Sequence, residues 1–530
     1  MSKNKLMCVS IIVLSLIIGI GFYSLYTYMT KEETTSNFEH VVRLEEGADP
    51  SVGVTSFDGD YTVDDSFVSH LPLVVIDLED NEIPDSYYFD QDEGRFILKD
   101  DADPYVDASI SVIDNDSNIN YLGDEPQVQS KIKIKYRGNS SVVFDKHQYR
   151  FKLLDEDGNS NKQNLLGMGE DSEWILNISM IDSTLLRNYL CYSIAGEFMA
   201  YTPDVRFCEV IIKKDGEYEY QGLYLLMEPV EQGENRVDIS DYSSKNDYTS
   251  YIVRRDRYDE EGVMLDTYAT INELCYGYLD LKYPNNEDLS EEVIEYVTND
   301  ISEVEKVIFS EDESEFLKYS QYIDVDSFVD YFIFNEFFTN YDAGNNSTYM
   351  YKDARGKLTI GPIWDYDNIA DNISEYLLDP EVISFEGQAW FTELLQSEEF
   401  CKKLESRYSE LRETYFSDDY INTFIDETVE YLGNARLRDW DRWYEQYTED
   451  RFEIIEDRYG VSVDRNFDSY EDNVQRLKDI LNEHARYILP ELHKLTLECK
   501  YKDAYRIHYE YAALFLVIFL AAVTIVRRKV

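Results

Sequence analysis

A chain of 530 residues with 46 Tyr and 26 Phe is long enough for two or three average domains and rich enough in aromatics to bury a substantial core. Its 107 acidic residues against 49 basic ones leave a formal charge of -58, which excludes nucleic acid as a partner because phosphates are repelled over most of the surface. The acids are scattered through aromatic-rich sequence, so they read as a solvated surface whose field suits divalent cations and basic protein partners.

The chain opens with Lys3 and Lys5 and then runs without a charge to Met29, long enough to span a bilayer core of ~30 Å. No small-x-small site follows, so residues 1–30 are read as an uncleaved anchor in preference to a signal peptide. Residues 31–64 are polar and turn-rich, a linker. From 65 to 129 short β-like runs alternate with acidic loops, a β-rich N-terminal extension. In "KIKIKYRGNSSVVFDKHQYRFKLL", Ile132, Ile134 and Tyr136 share one face, as do Tyr149, Phe151 and Leu153 after the turn. "DEDGN" (155–159) has a calcium loop's residue types with the glycine and glutamate misplaced, so it is read as a plain hairpin turn.

"DSTLLRNYLCYSIAGEFM" predicts an amphipathic helix capped by Asp182. A strand pair turning at Asp215-Gly216 follows. After residue 285 the pattern is mainly helical, and "DVDSFVDYFIFNEFFTN" delivers the chain to Asp342. A hairpin spanning "STYMYKD" and "KLTIGPIWD" interrupts the helices, which resume from about 388 to 495. Residues 509–527 form a second membrane-spanning segment, wholly apolar from Tyr511 to Val526, with Arg527, Arg528 and Lys529 directly after that run. Basic residues outside both spans put both termini in the cytoplasm and the centre of the chain outside it, although Lys500, Lys502 and Arg506 pull the other way. The six cysteines, Cys8, Cys191, Cys208, Cys275, Cys401 and Cys499, are dispersed without a CxxC pair, which predicts neither a disulfide framework nor a zinc site.

Asp342, Asp365 and Asp367 flank the hairpin. Hard divalent cations take oxygen ligands, and phosphoryl transfer needs one carboxylate to orient a hydroxyl and others to hold metal on the phosphates. On spacing alone, an ordinary turn at "DAGNN" and an exposed strand end at "WDYD" account for the same residues equally well. Arg137, Ser140 and Ser141 form a compact turn whose amides and hydroxyls suit phosphate. Lys146, Arg150 and Lys152 extend the basic cluster, with Arg150 also read as a partner of nearby acids. Glu228 ends an apolar strand, either lining an adenine pocket or simply satisfied there.

Taken together, "YRGNSS" with "KHQYRFKL", "WILNISMIDSTLLRNYL", "GLYLLMEPVEQGENRVDIS" and "GPIWDYD" resemble the CotH family of atypical, secreted protein kinases. The matching stretches fall in order over about residues 130–370, and helical sequence completes a domain of residues 130–500. The resemblance implies an α+β, kinase-like fold, here flanked by two transmembrane helices. It implies ATP and Mg2+ or Mn2+ as cofactors and protein Ser/Thr as acceptor. By motif, Asp342 is the catalytic aspartate and Asp365 the metal-binding one, with Asp367 beside it. The family's metal-assisting asparagine falls on Asn345 or Asn346, and Lys146 and Lys152 match its lysine-bearing strand. A spore-coat or cell-surface setting follows from the family. A protein that binds nucleotide without transferring phosphate, or an adhesion protein using the same fold, are the alternatives.

Overall fold

Alternating apolar residues build the first half of the molecule as strands. They are β1 (Thr62–Val63), β2 (Leu73–Asp77), β3 (Val106–Ile113), β4 (Val128–Arg137), β5 (Gln148–Leu154), β6 (Glu173–Asn177), β7 (Val205–Lys214) and β8 (Glu217–Met227). The computed structural model describes residues 48–502 apart from 91–94, 100–102, 139–143, 179–180, 247, 260–261, 286–287, 341, 371, 373–379 and 451–468. Both apolar terminal segments, 1–30 and 509–527, lie outside those residues. Among the described residues no helix is long and apolar enough to cross a membrane.

The strands run β1–β8–β6–β5–β4–β3–β2–β7, and β7 is also hydrogen-bonded to β8, so seven strands close into a ring. Only the β2–β7 pair is parallel. Register sets the inward face: Ile132, Ile134 and Tyr136 stand directly opposite Leu153, Phe151 and Tyr149. Trp174 and Leu176 continue that face on the next strand, and closure removes the exposed edges an open sheet would leave. The opposite face of β4 and β5 carries Lys133, Lys135 and Arg137 across from Lys152, Arg150 and Gln148.

The turns are as the residue types demand. Asp215 and Gly216 take φ of 53° and 86°, joining β7 to β8. In "DEDGN" the Asp155 carboxylate accepts the N–H groups of Asp157 (2.9 Å) and Asn159 (2.8 Å), a self-satisfied turn.

Two sequence expectations change. Residues 48–64 are not a free linker: the N–H of Asn434 binds the Pro50 carbonyl, the Arg438 guanidinium binds the carbonyls of Val52 and Val54, and β1 joins the ring. The helix after Asp182, α1 (Arg187–Gly196), begins five residues later and has all ten residues buried. It shows no face to solvent because it is enclosed: Tyr189 packs on Phe207 of β7 at 4.4 Å and on Phe424 at 6.0 Å. Asp182 nonetheless accepts the backbone N–H of Arg187 at 2.8 Å.

The second half is an antiparallel five-stranded sheet surrounded by helices. Its strands are β9 (Tyr251–Asp256), β10 (Met264–Leu265), β11 (Tyr278–Tyr283), β12 (Thr348–Lys352) and β13 (Thr359–Ile360), in the order β10–β11–β9–β12–β13. The helices are α2 (Glu291–Ile308), α3 (Val325–Phe337), α4 (Glu398–Arg412), α5 (Asp418–Glu445) and α6 (Tyr470–Glu498). Asp324 caps α3 through the N–H groups of Asp326 and Ser327. From Phe328 to Phe337 every residue of that helix but Asp330 is buried.

Candidate active site

Helix α3 ends at Phe337, and the chain turns sharply through Thr339, at φ 53°, into "NYDAGNN". The Asn340 side-chain oxygen Oδ1 accepts the N–H of Asp342 (3.3 Å) and of Ala343 (3.4 Å), while the Asp342 backbone carbonyl accepts that of Asn346 (2.8 Å). Gly344, at φ +88°, donates its N–H to the Thr348 hydroxyl at 2.6 Å, which also meets the Tyr331 hydroxyl of α3 at 3.1 Å. The loop is thus fixed at both ends.

Hairpin β12–β13 pairs Met350 with Ile360 and Tyr351 with Thr359 and returns the chain to the same place. There the Ser347 hydroxyl donates to the Asp365 carboxylate at 3.2 Å. Asp365 sits at φ +69°, a conformation aspartate adopts at a cost of order 1–3 kcal/mol and one that clusters at functional sites. Its surroundings hold it there: its own N–H donates to the Tyr192 hydroxyl (3.4 Å), the next N–H to Asn188 (2.9 Å), and the Tyr366 hydroxyl to Asn335 (2.7 Å).

The charges converge. Burial pushes the Asp342 carboxyl up and the Asp365 charge adds to it, while Arg257 opposes. Asp365 keeps an exposed face, yet the protein crowded around it also pushes its carboxyl up, against the pull of Arg137. Arg137, at the end of β4, donates to Gln148 at 2.5 Å and lies 5.1 Å from the Trp364 ring centroid. Asp256 and Arg257, where β9 ends, act on both aspartates.

The donor set fits a hard cation. Asn346 donates through its amide nitrogen to Asp342 at 3.1 Å, and its amide oxygen is buried with no hydrogen-bond partner. A buried carbonyl oxygen left unpaired is costly, and a cation would satisfy it. Among the described residues no three His, Cys, Asp or Glu side chains form a ready metal cage. Two carboxylates and an amide are what magnesium uses when phosphates supply the rest.

The other predicted site residues are placed differently. Asn345 is turned away to the Gln388 side chain. Lys146 is buried, its ammonium 2.5 Å from Asp439 and 3.0 Å from the Leu223 carbonyl. Lys152 pairs with Glu173 at 3.2 Å, and Arg150 with Glu173 and Glu231. Glu228 is buried, accepts from Tyr201 (3.0 Å), the Asp204 N–H (2.9 Å) and Arg236, and burial pushes its carboxyl up to about 7 against the pull of Arg236. Asp367 is half-buried, its carbonyl bound by Asn372 at 2.7 Å. Ser140 and Ser141 lie outside the described residues.

Sequence reasoning passed over Asp256, Arg257, Ser347 and Tyr192. The run "RRDR" at 254–257, conspicuous in an acidic chain, was a signal for the first two.

Fold and site define an α+β protein with carboxylates at the two ends of a hairpin. The chain belongs to the CotH kinase protein family, whose profile matches residues 134–488. No curated protein matches it.

Proposed function

We propose that this protein is a membrane-anchored, extracytoplasmic kinase that transfers the γ-phosphoryl group of ATP to Ser/Thr hydroxyls of surface or coat proteins. The observation carrying this reading is that Asn346, its side-chain oxygen buried and unpaired, donates to Asp342 while its neighbour Ser347 donates to Asp365, whose charge acts on Asp342. Asp342 accepts the acceptor hydroxyl's proton, its raised basicity suited to that task. Asn346, Asp365 and the neighbouring Asp367 would hold Mg2+ or Mn2+, which when bound neutralises charge on the phosphates. Arg137, fixed by Gln148 and Trp364, offers positive charge beside Asp365. Membrane anchoring is supported by the apolar runs within residues 1–30 and 509–527.

The test is transfer from radiolabelled ATP by the purified full chain, with Mg2+ or Mn2+, onto itself or a basic test protein. Asp342→Asn should lower transfer at least ~100-fold while leaving nucleotide affinity within a few-fold. Metal-dependent ATP binding without transfer would move the assignment to a pseudokinase. Neither binding nor transfer would move it to an adhesion or structural protein.

A further inference from the structure

Cys401 and Cys499, 98 positions apart and without a shared motif, bring their sulfurs to 3.3 Å. Cys401 lies in the first turn of α4 and Cys499 caps the end of α6. Both are buried, Cys401 at 1% exposure and Cys499 at 7%. Both thiols reach one acceptor, the Leu395 carbonyl, at 3.3 Å each, and Cys499 also reaches that of Leu495 at 3.0 Å. The backbone around them is joined independently of the sulfurs. The N–H of Glu398 donates to the Tyr501 carbonyl (3.0 Å), and the N–H of Tyr501 to that of Gln396 (2.9 Å). The sulfurs have then to close from 3.3 Å to a bond of about 2.05 Å between two segments whose backbones are already paired beside them.

We propose that Cys401 and Cys499 form a modification site that closes into an intrachain disulfide on exchange with a small disulfide oxidant. Cys499, the more exposed, loses its proton to solvent and attacks one sulfur of the oxidant. The oxidant's S–S bond breaks and releases one thiolate. Deprotonated Cys401 then attacks the Cys499 sulfur of the mixed disulfide and expels the second thiolate. Two protein thiols are oxidised, one oxidant disulfide is reduced to two thiols, and the two protons end on those thiols. The product ties α4 to the end of α6 where the chain leads on toward residue 503. Such a bond persists in an oxidising compartment, and its formation is independent of the kinase reading.

The full chain, purified in nonionic detergent, is incubated with oxidised glutathione, alkylated in denaturant and digested for mass spectrometry. The expected result is a linked pair of peptides carrying Cys401 and Cys499, with Cys191, Cys208 and Cys275 alkylated. Recovery of Cys401 and Cys499 alkylated, or as separate glutathione adducts, would overturn the proposal. The oxidised wild type should also melt on the order of 5 °C above its reduced form, a difference absent from Cys401→Ser and Cys499→Ser. Equal midpoints for oxidised and reduced wild type would refute the staple.

Discussion

Asn346 and Asn345 are adjacent and chemically identical, yet the fold assigns them opposite roles. One directs its amide nitrogen to Asp342 and leaves its oxygen buried and unpaired, and the other is spent on Gln388. Asn346→Ala should therefore raise the Mg2+ concentration for half-maximal nucleotide binding by roughly tenfold or more, as loss of a metal-orienting group does elsewhere. Asn345→Ala should leave it near the wild-type value. Metal titrations at fixed ATP, followed by fluorescence or calorimetry, check both. Equal effects from the two substitutions would remove Asn346 from the metal's surroundings. The strained Asp365 belongs to the same scale: Tyr192, Asn188 and Ser347 hold a carboxylate in a conformation that a flexible loop would relax out of.

At the scale of elements, α6 is held to α3 by His484. Its Nε2 lies 2.9 Å from the Glu336 carboxylate and its Nδ1 2.9 Å from the Pro380 carbonyl, so a protonated ring can donate at both ends. Burial alone would lower its basicity, but the hydrogen bond to Glu336 and that residue's charge outweigh it, and the net shift is upward. A folded-state value above the unfolded ~6.5 means full stabilisation below about pH 6.5, lost as pH rises through the folded value. The stability advantage of wild type over His484→Gln, on the order of 1–2 kcal/mol at pH 6, should shrink toward pH 9. Urea denaturation at stepped pH measures it, and a constant difference would refute the assignment.

Across the whole molecule, α5 fastens the helical half to the ring of strands through two buried ion pairs. Arg438 binds Glu209 with two hydrogen bonds, 3.0 and 2.6 Å, and reaches on to Val52 and Val54. The next residue, Asp439, takes Lys146, the N–H of Leu223 at 2.7 Å and the Tyr447 hydroxyl at 2.6 Å. Gly222, at φ +122°, permits this approach, since a Cβ there would stand 2.4 Å from the Asp439 oxygen. Lys146→Met strands a buried carboxylate and should cost about 3–5 kcal/mol. Replacing both partners by apolar residues should recover much of that. The loss should appear in chemical denaturation of the full chain, without a matching loss of nucleotide affinity in the protein that stays folded. A selective loss of ATP binding would instead give Lys146 the phosphate role its motif implies.

Local pattern by itself determined the strand faces at Ile132, Ile134, Phe151 and Leu153, the Asp215-Gly216 turn, the start of α3 at Asp324 and the hairpin that brings Asp365 back toward Asp342. Each of these is written in a few neighbouring residues, by side-chain period, by φ preference or by capping. The motifs that resemble the CotH family were legible for the same reason. Tertiary structure decided the rest: the closure of the ring through the parallel β2–β7 pair, the burial of α1 on every side, the packing of residues 48–64 on α5, and the arrival of Arg257 near Asp342. It also chose the partner of Lys146 and brought Cys401 to Cys499, which their dispersal in sequence argued against. These pairings join segments far apart along the chain. They are selected by which surfaces pack together once each element has formed, and no local period records that choice.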